Sequence, residues 1–224
     1  MASYEIVAFY KDKELEVSTQ ASRISTLFEL EIRYEKLPEK SAAVGALLAE
    51  RTVLCLINQE ILPFGRLMKY VYHLNKPVLL FRPGYSLEVY NNLKLPVGYL
   101  SENKEKVVWA NFFQRQNKNS SIELMIPKEK DQEIAHMIYN NVSFIRNIFD
   151  KSEARYTETI FEESFEKMLQ HIFKNTDDAV IFMMLPFRIF SFYLPQNLRI
   201  LRKYGHAPTL IIPRAEALYI IPCN

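Results

Sequence analysis

Residues 177–186 read DDAVIFMMLP and contain an unbroken apolar run, Val180–Leu185. A run without polar alternation is typical of a strand that is buried on both faces, as in a parallel sheet covered by helices. Apolar residues at helical spacing precede it over Phe165–Phe173, and another helical stretch follows and ends at Gly205, where we expect a left-handed cap. This part of the chain therefore predicts a buried strand between two helices.

The same alternation of strands and helices extends over Leu95–Pro213. Strict alternation, with helices of about ten residues or more, implies parallel strands joined by right-handed crossovers. We therefore predict an α/β fold with a doubly wound parallel sheet. The predicted elements are strand Leu95–Leu100, a helix that begins at Ser101, strand Ile122–Ile126, helix Glu129–Asp150, strand Arg155–Phe161, helix Phe165–Phe173, strand Val180–Leu185, a helix through Leu198 and Leu201, and strand Thr209–Ile212.

The first part of the chain repeats the end of this pattern at an offset of about 125 residues. The sequence RTVLCLINQE at 51–60 corresponds to DDAVIFMMLP, and NKPVLLFRPG at 75–84 corresponds to HAPTLIIPRA at 206–215. A helix-like stretch, Glu39–Glu50, precedes the first of these segments, just as Ser164–Asn175 precedes its counterpart. The constant register predicts two tandem copies of one domain.

The first copy is shorter than the second. Residues 1–38 are too few for a full β-α-β-α-β start, so we expect them to supply one strand, Tyr4–Tyr10, and one helix, Thr19–Phe28. The predicted domains are an abbreviated one over 1–90 and a complete one over 91–224. We expect two parallel sheets, one in each domain, related by a pseudo-two-fold axis.

The composition is that of a folded and nearly neutral protein. Its 224 residues are 49% hydrophobic and 24% charged, with 28 Lys and Arg against 26 Asp and Glu. These values exclude a disordered chain and do not favour nucleic acid as a partner. Glycines are few and widely spaced, so a glycine-rich nucleotide loop is absent. They are Gly45, Gly65, Gly84, Gly98 and Gly205.

No targeting or membrane segment is evident in the sequence. The N-terminus lacks a basic region followed by an apolar one. The most apolar window, 179–195, is interrupted by Pro186 and Arg188. The two cysteines, Cys55 and Cys223, are too few for a disulfide scaffold. We therefore expect a cytoplasmic protein with no membrane partner.

Several short phrases carry a resemblance to a known family. The first strand of the second copy ends in PV at 96–97, and the closing phrase xxPVLxxP is matched by Lys76–Pro83 and by Ala207–Pro213. With the order of the elements, these phrases resemble the universal stress protein family, well over Leu95–Pro213 and partly over Glu29–Pro83. The resemblance implies an adenine-nucleotide α-hydrolase-like fold, a tandem chain that forms a pseudo-dimer with itself, and a role in the stress response.

The sequence departs from the ATP-binding members of that family. Those members place an Asp after the first strand to contact adenine, and a G-x2-G-x9-G-S/T loop after the fourth strand to hold the phosphates. Gly98 stands where the Asp would be, Pro186–Leu198 contains no glycine, and the first copy has only Gly65. Side chains there would block the backbone approach that a triphosphate needs. We therefore expect both ATP sites to be lost and no cofactor.

A vestigial cleft is expected where the first and fourth strands of the second copy end. Its predicted residues are Val97, Gly98, Tyr99, Met184, Leu185 and Pro186. The aromatic cluster that follows consists of Phe187, Phe190, Phe192 and Tyr193. We expect aromatic or aliphatic side chains to fill the cleft, with this cluster as the plug or as the cover of a domain interface. The alternative is that it stacks a planar ligand.

No pattern indicates a catalytic residue or a metal site. The candidate serines Ser101, Ser164 and Ser191 lack a G-x-S-x-G elbow. The acidic pairs Glu162–Glu163 and Asp177–Asp178 are interpreted as solvated turns. His136 lies one turn from Glu133, but no further metal ligand is spaced to join them. His73 and His206 are interpreted as exposed histidines at helix ends rather than as a shared ligand pair, and His171 is the fourth histidine.

The favoured function is that of a non-enzymatic, universal-stress-like protein that acts through protein partners or self-association. The alternative is a small-molecule or nucleotide-binding module that uses the cleft. An enzyme of the wider adenine-nucleotide α-hydrolase-like group is a third hypothesis, which the missing phosphate loop disfavours.

The closing strands are expected to determine how the halves assemble. Pro77–Phe81 and Thr209–Ile212 are apolar, and in the family such strands meet at the dimer interface, so we expect them to meet within this chain. The run Ala217–Ile221 is expected to add a strand near that interface or to pair with a second chain, forming a homodimer.

Overall fold

The computed structural model describes residues 4–185 and 195–213. Within these ranges the chain forms nine strands, six α-helices and three short 3₁₀ helices. The strands are Glu5–Tyr10 (β1), Glu31–Lys36 (β2), Thr52–Asn58 (β3), Val78–Phe81 (β4), Asn92–Pro96 (β5), Ser121–Pro127 (β6), Tyr156–Phe161 (β7), Val180–Met184 (β8) and Thr209–Ile212 (β9). The α-helices are Leu15–Phe28 (α1), Phe64–Leu74 (α2), Glu105–Gln116 (α3), Gln132–Lys151 (α4), Phe165–Asn175 (α5) and Gln196–Tyr204 (α6). The 3₁₀ helices are Ser41–Leu47, Leu87–Asn91 and Ser101–Lys104.

The described strands form one continuous sheet in the order β2-β1-β3-β4-β9-β8-β5-β6-β7. Neighbouring strands are parallel except β4 and β9, which pair antiparallel with Leu79 opposite Leu210. The α/β fold class with a doubly wound, mostly parallel sheet is therefore confirmed. The prediction of two separate sheets is wrong, because the closing strands hydrogen-bond to each other and remove the apolar edge that each would otherwise expose.

The two sides of this junction have related strand orders. From the junction outward the second half runs β9-β8-β5-β6-β7, so β5 and β8 are neighbours although β6 and β7 lie between them in the chain. The first half runs β4-β3-β1-β2, which is the same kind of order with one strand fewer. The predicted meeting of the closing strands is observed, whereas the domain boundary near residue 90 stays a prediction.

Two layers of helices cover the sheet. Helices α1, α3 and α4 bury one apolar cluster against it, and α2, α5, α6 and the Ser41–Leu47 turn bury the other. Along β8, Val180 and Phe182 belong to the first cluster, whereas Ile181 and Met183 belong to the second. Successive side chains of a strand point to opposite faces, so an unbroken apolar run is what a strand buried on both faces requires.

Aromatic side chains join the two halves on the first face. The Phe28 ring of α1 lies 4.6 Å from the Phe113 ring of α3, and Phe113 lies 5.4 Å from Phe182 of β8. Both contacts are edge-to-face, a geometry that aromatic quadrupoles favour. Each apolar cluster also contains residues of both halves, so neither half has a core of its own.

Several element boundaries differ from those predicted. The helix-like stretch Glu39–Glu50 is a 3₁₀ helix over Ser41–Leu47, and α1 begins at Leu15 rather than Thr19. Gly205 is not a left-handed cap, since its φ is −72°. A Cβ there would lie 2.5 Å from the carbonyl oxygen of Leu201, so close approach of the helix end is what excludes a side chain.

Two predictions fall outside the described residues, namely the aromatic cluster over 187–193 and the added strand over 217–221. Among the helices of residues 4–185 and 195–213, none combines the length and the apolarity needed to cross a membrane.

Candidate functional site

A cavity of about 550 Å³ opens at the carboxyl ends of β5 and β8. These are the strands at which the chain changes direction across the sheet, the place where open α/β sheets form a crevice. Of the predicted cleft residues, Gly98, Tyr99, Met184 and Leu185 line this cavity. Val97 is fully buried behind it, and Pro186 lies outside the described residues.

The loop that follows β5 forms one wall, and two buried asparagines hold its backbone. Asn103 Oδ1 accepts a hydrogen bond from the Gly98 N–H at 3.1 Å, and Asn103 Nδ2 donates to the Leu100 carbonyl at 2.8 Å. Asn141 of α4 donates to the carbonyls of both Gly98 and Leu100 at 2.9 Å. The N–H of Gly98 and the carbonyls of Gly98 and Leu100 are therefore already paired within the protein, as buried backbone groups require.

Gly98 is closely packed in this wall. A Cβ built on Gly98 would lie 3.1 Å from Asn103 Nδ2 and 3.3 Å from the ring of Phe165. These contacts are tighter than ordinary packing, so the larger Asp that the family resemblance places at this position would displace its neighbours. The packing of the loop therefore does not accommodate an Asp at this position.

Lys106 is the residue of this site that sequence analysis missed. It lies in the first turn of α3, is 2% exposed, and lines the cavity. Its Nζ donates a hydrogen bond to the carbonyl oxygen of Pro96 at the end of β5. Within residues 4–185 and 195–213 it forms no salt bridge. Burial lowers the pKa of Lys106 from its usual 10.5 to about 7.

Two carboxylates, Glu129 and Glu166, also line the cavity, and each already has a hydrogen-bond partner. Glu129 Oε1 accepts a hydrogen bond from the backbone N–H of Phe165 at 2.8 Å, at the start of α5. Glu166 Oε2 accepts one from the side chain of Gln196 at 2.7 Å, which links α5 to α6. Glu129 and Glu166 therefore hydrogen-bond to the starts of α5 and α6 beside the cavity.

Most of the remaining wall is apolar. Side chains from α4, α5, α6 and β8 supply it, namely Ile134, Phe165, Leu169, Phe182, Met183 and Ile200. An apolar pocket with a few convergent polar groups is the usual form of a small-molecule site. The arrangement can therefore hold a molecule that has an apolar body and one polar end near Lys106.

The other residues that sequence analysis weighed lie elsewhere or lack partners for chemistry. All four histidines are exposed and none lines this cavity. The acidic pairs Glu162–Glu163 and Asp177–Asp178 are exposed, as predicted. Cys55 is buried in β3, and burial raises the pKa of its thiol. Within the described ranges no group of three or more His, Cys, Asp or Glu residues is arranged to hold a metal ion.

Comparisons with known proteins identify the fold only. No protein-family model and no curated protein sequence matches this chain. Sixteen chains of solved structures match its fold. One is a candidate universal stress protein from Pseudomonas aeruginosa UCBPP-PA14, with a TM-score of 0.55, 8% identity, and coverage of 93% of this chain and 82% of that one. This chain has a universal-stress-type fold.

A second structural relative supports the same fold. It is a functionally unknown protein from Pseudomonas aeruginosa PAO1, with a TM-score of 0.51 and 8% identity. The match covers 95% of this chain and 83% of that chain. Fold likeness at this identity transfers no residue role and no activity to this chain.

Proposed function

We propose that this protein is a non-enzymatic module that binds a small molecule in the cleft between β5 and β8. The observation that carries the proposal is the cavity of about 550 Å³ at the sheet's crevice, with its mainly apolar wall. A role in the stress response, a cytoplasmic location and a tandem origin of the two halves belong to the same proposal and rest on the sequence.

The ligand we propose is not ATP. A triphosphate needs several backbone N–H groups at close range, usually supplied by a glycine-rich loop and a helix N-terminus. At the N-terminus of α5 the Phe165 N–H already donates to the Glu129 carboxylate, and Glu166 adds a second negative charge nearby. These carboxylates would repel a phosphate. Gly98 has no room for an adenine-binding Asp.

Isothermal titration of the full chain with a neutral apolar probe, 2-naphthamide, and with ATP tests this proposal. We expect the naphthamide to bind and ATP to give no heat of binding up to millimolar concentration. The substitution Ile200→Trp, which fills the cavity from α6, should weaken naphthamide binding at least about tenfold. Ile160→Trp is the matched control, because Ile160 is exposed on β7 and does not line the cavity. Micromolar ATP affinity, or equal binding by Ile200→Trp, would contradict the proposal.

Self-association is the second candidate, and an exposed apolar patch favours it. Met137 and Phe144 are 41% and 40% exposed, and their spacing places them on the same face of α4 as Asn141. Asn141 holds the loop that contains Leu100, which is 52% exposed. Large exposed side chains that share one face are typical of an interaction surface.

Sedimentation velocity over a range of concentrations tests whether a second copy covers this patch. We expect a concentration-dependent dimer that the pair of substitutions Met137→Lys and Phe144→Lys abolishes. The exposed residue Leu15 of α1, changed to Lys, provides the control. A monomer at every concentration would contradict this candidate.

A further inference from the structure

Lys106 has a buried amine in the wall of the cavity, and the described residues supply it with one hydrogen-bond acceptor and no counter-charge. This side chain is almost fully buried, yet its Nζ has a single described partner, the carbonyl oxygen of Pro96. An ammonium group has three donors, and burying it without a counter-charge is costly. A ligand that binds in the cavity could supply the missing hydrogen-bond acceptors.

Resting on the proposed function, we propose that the cleft selects an organic monocarboxylate with an apolar body, whose carboxylate accepts hydrogen bonds from Lys106 Nζ. A carboxylate supplies both the missing charge and the missing acceptors, and charge-assisted hydrogen bonds of this kind are the strong ones in proteins. The apolar body would lie against side chains such as Leu169 and Met183.

The other titratable groups of the wall limit how much negative charge the ligand can carry. Glu129 and Glu166 line the cavity from the β6–α4 loop and from α5, and the phenol of Tyr99 lines it from the loop after β5. A ligand with a second negative charge, such as a phosphate or a dicarboxylate, would meet these two carboxylates. The balance of one buried amine against two wall carboxylates therefore favours a single carboxylate beside Lys106.

Binding of a carboxylate beside Lys106 should change the number of protons that the protein carries. Burial lowers the pKa of Lys106 to about 7, so its amine is mostly neutral at pH 8.5 in the free protein. A bound carboxylate favours the charged form of a neighbouring amine, so binding at pH 8.5 should take up a proton. At pH 6 Lys106 is already charged and the uptake should fall close to zero.

The test compares 2-naphthoate with 2-naphthamide, which share one shape and differ in charge, by isothermal titration of the full chain. For Lys106→Met we expect naphthoate affinity to fall at least about tenfold and naphthamide affinity to stay within about twofold. Lys104→Met is the matched control, since Lys104 lies two residues away, does not line the cavity, and has its amine over the Phe144 ring. Titrations of the unaltered chain in buffers of different ionisation heat measure the proton uptake without any substitution.

The outcomes separate this inference from the proposed function. One outcome would contradict only the carboxylate inference. In that outcome Ile200→Trp blocks naphthamide binding, whereas naphthoate binds no better than naphthamide, does not depend on Lys106 and takes up no proton. The cleft would then still be a ligand site. If neither probe binds at millimolar concentration, both fall. Proton uptake at pH 8.5 with loss of naphthoate binding in Lys106→Met supports both.

Discussion

Lys106 carries a cost in the free protein that depends on pH. Its pKa is about 7 in the folded chain and about 10.5 in the unfolded one, so between these values the unfolded state binds more protons. Stability therefore rises with pH over that interval, by up to about 1.4 kcal/mol per pH unit, and the full cost is present below pH 7.

We expect Lys106→Met to be more stable than the unaltered chain at pH 6.5, because Met fills the same space without a buried charge. The advantage should shrink as the pH is raised from 7 to 9.5, since the unaltered chain gains stability while the variant lacks this titration. Urea unfolding at a series of pH values measures the difference. Parallel pH profiles for the two proteins would show that Lys106 does not titrate in this range, and Lys104→Met should give such a parallel profile.

Gly98 and Gly65 offer a matched pair for the packing of the cleft loop. Gly98→Ala should destabilise the fold by about 1–2 kcal/mol, because its Cβ would press on Asn103 and Phe165. Gly65→Ala should stabilise it by about 0.5–1 kcal/mol, because Gly65 lies in α2 with nothing within 4 Å of the added carbon. Chemical denaturation of both variants gives the comparison, and equal effects at the two sites would contradict the tight packing at Gly98.

These residues show what sequence could and could not predict. The cleft was predictable, because alternating strands and helices determine where a parallel sheet changes direction, and the DDAVIFMMLP run contains β8, one of the two strands beside that point. The role of Lys106 was not predictable, because the sequence ENKEK that contains it is typical of a solvated helix start. Its burial depends on how α3 lies over the end of β5, which no local pattern contains.

At the scale of elements, α5 begins without a cap from its own chain segment. Ser164 occupies the N-cap position but its side chain makes no capping hydrogen bond. Glu129, from the loop between β6 and α4, accepts from the Phe165 N–H instead. The neighbouring helix α4 has an ordinary cap, since the Asp131 carboxylate accepts from the N–H groups of Glu133 and Ile134.

This difference predicts an order of stabilities among alanine variants. Asp131→Ala and Glu129→Ala should each cost about 1 kcal/mol, because each leaves helix N–H groups without their acceptor. Ser164→Ala should cost less than about 0.5 kcal/mol, although Ser is the residue type expected at a cap. Urea denaturation resolves these values. If Ser164→Ala proved as costly as Glu129→Ala, the serine rather than the distant glutamate would be the cap.

At the scale of the whole molecule, the sequence pattern predicted the strands next to the junction but not the single sheet that they form. The four repeated segments contain β3, β4, β8 and β9, and the first half has one strand fewer than the second, whereas the tandem origin of the halves stays a prediction. No pattern in the sequence indicates how strongly the halves join. That depends on the β4–β9 pairing, on the ring contacts of Phe28 and Phe113, and on the hydrogen bond from the Tyr85 hydroxyl to the His206 carbonyl.

We therefore predict that the chain unfolds in one transition rather than as two independent domains. Its single tryptophan, Trp109, is 4% exposed on α3 and reports on the second half, whereas far-ultraviolet circular dichroism reports on both halves. Because both apolar clusters contain residues of both halves, the two signals should give coincident urea transitions. Leu79→Ala, in the fully buried junction strand β4, should lower both midpoints together, by about 2–4 kcal/mol in stability. The prediction would be wrong if the circular dichroism signal changed in two steps, if Trp109 fluorescence followed only one step, and if Leu79→Ala shifted only the other. The halves would then be separate folding units despite their shared sheet.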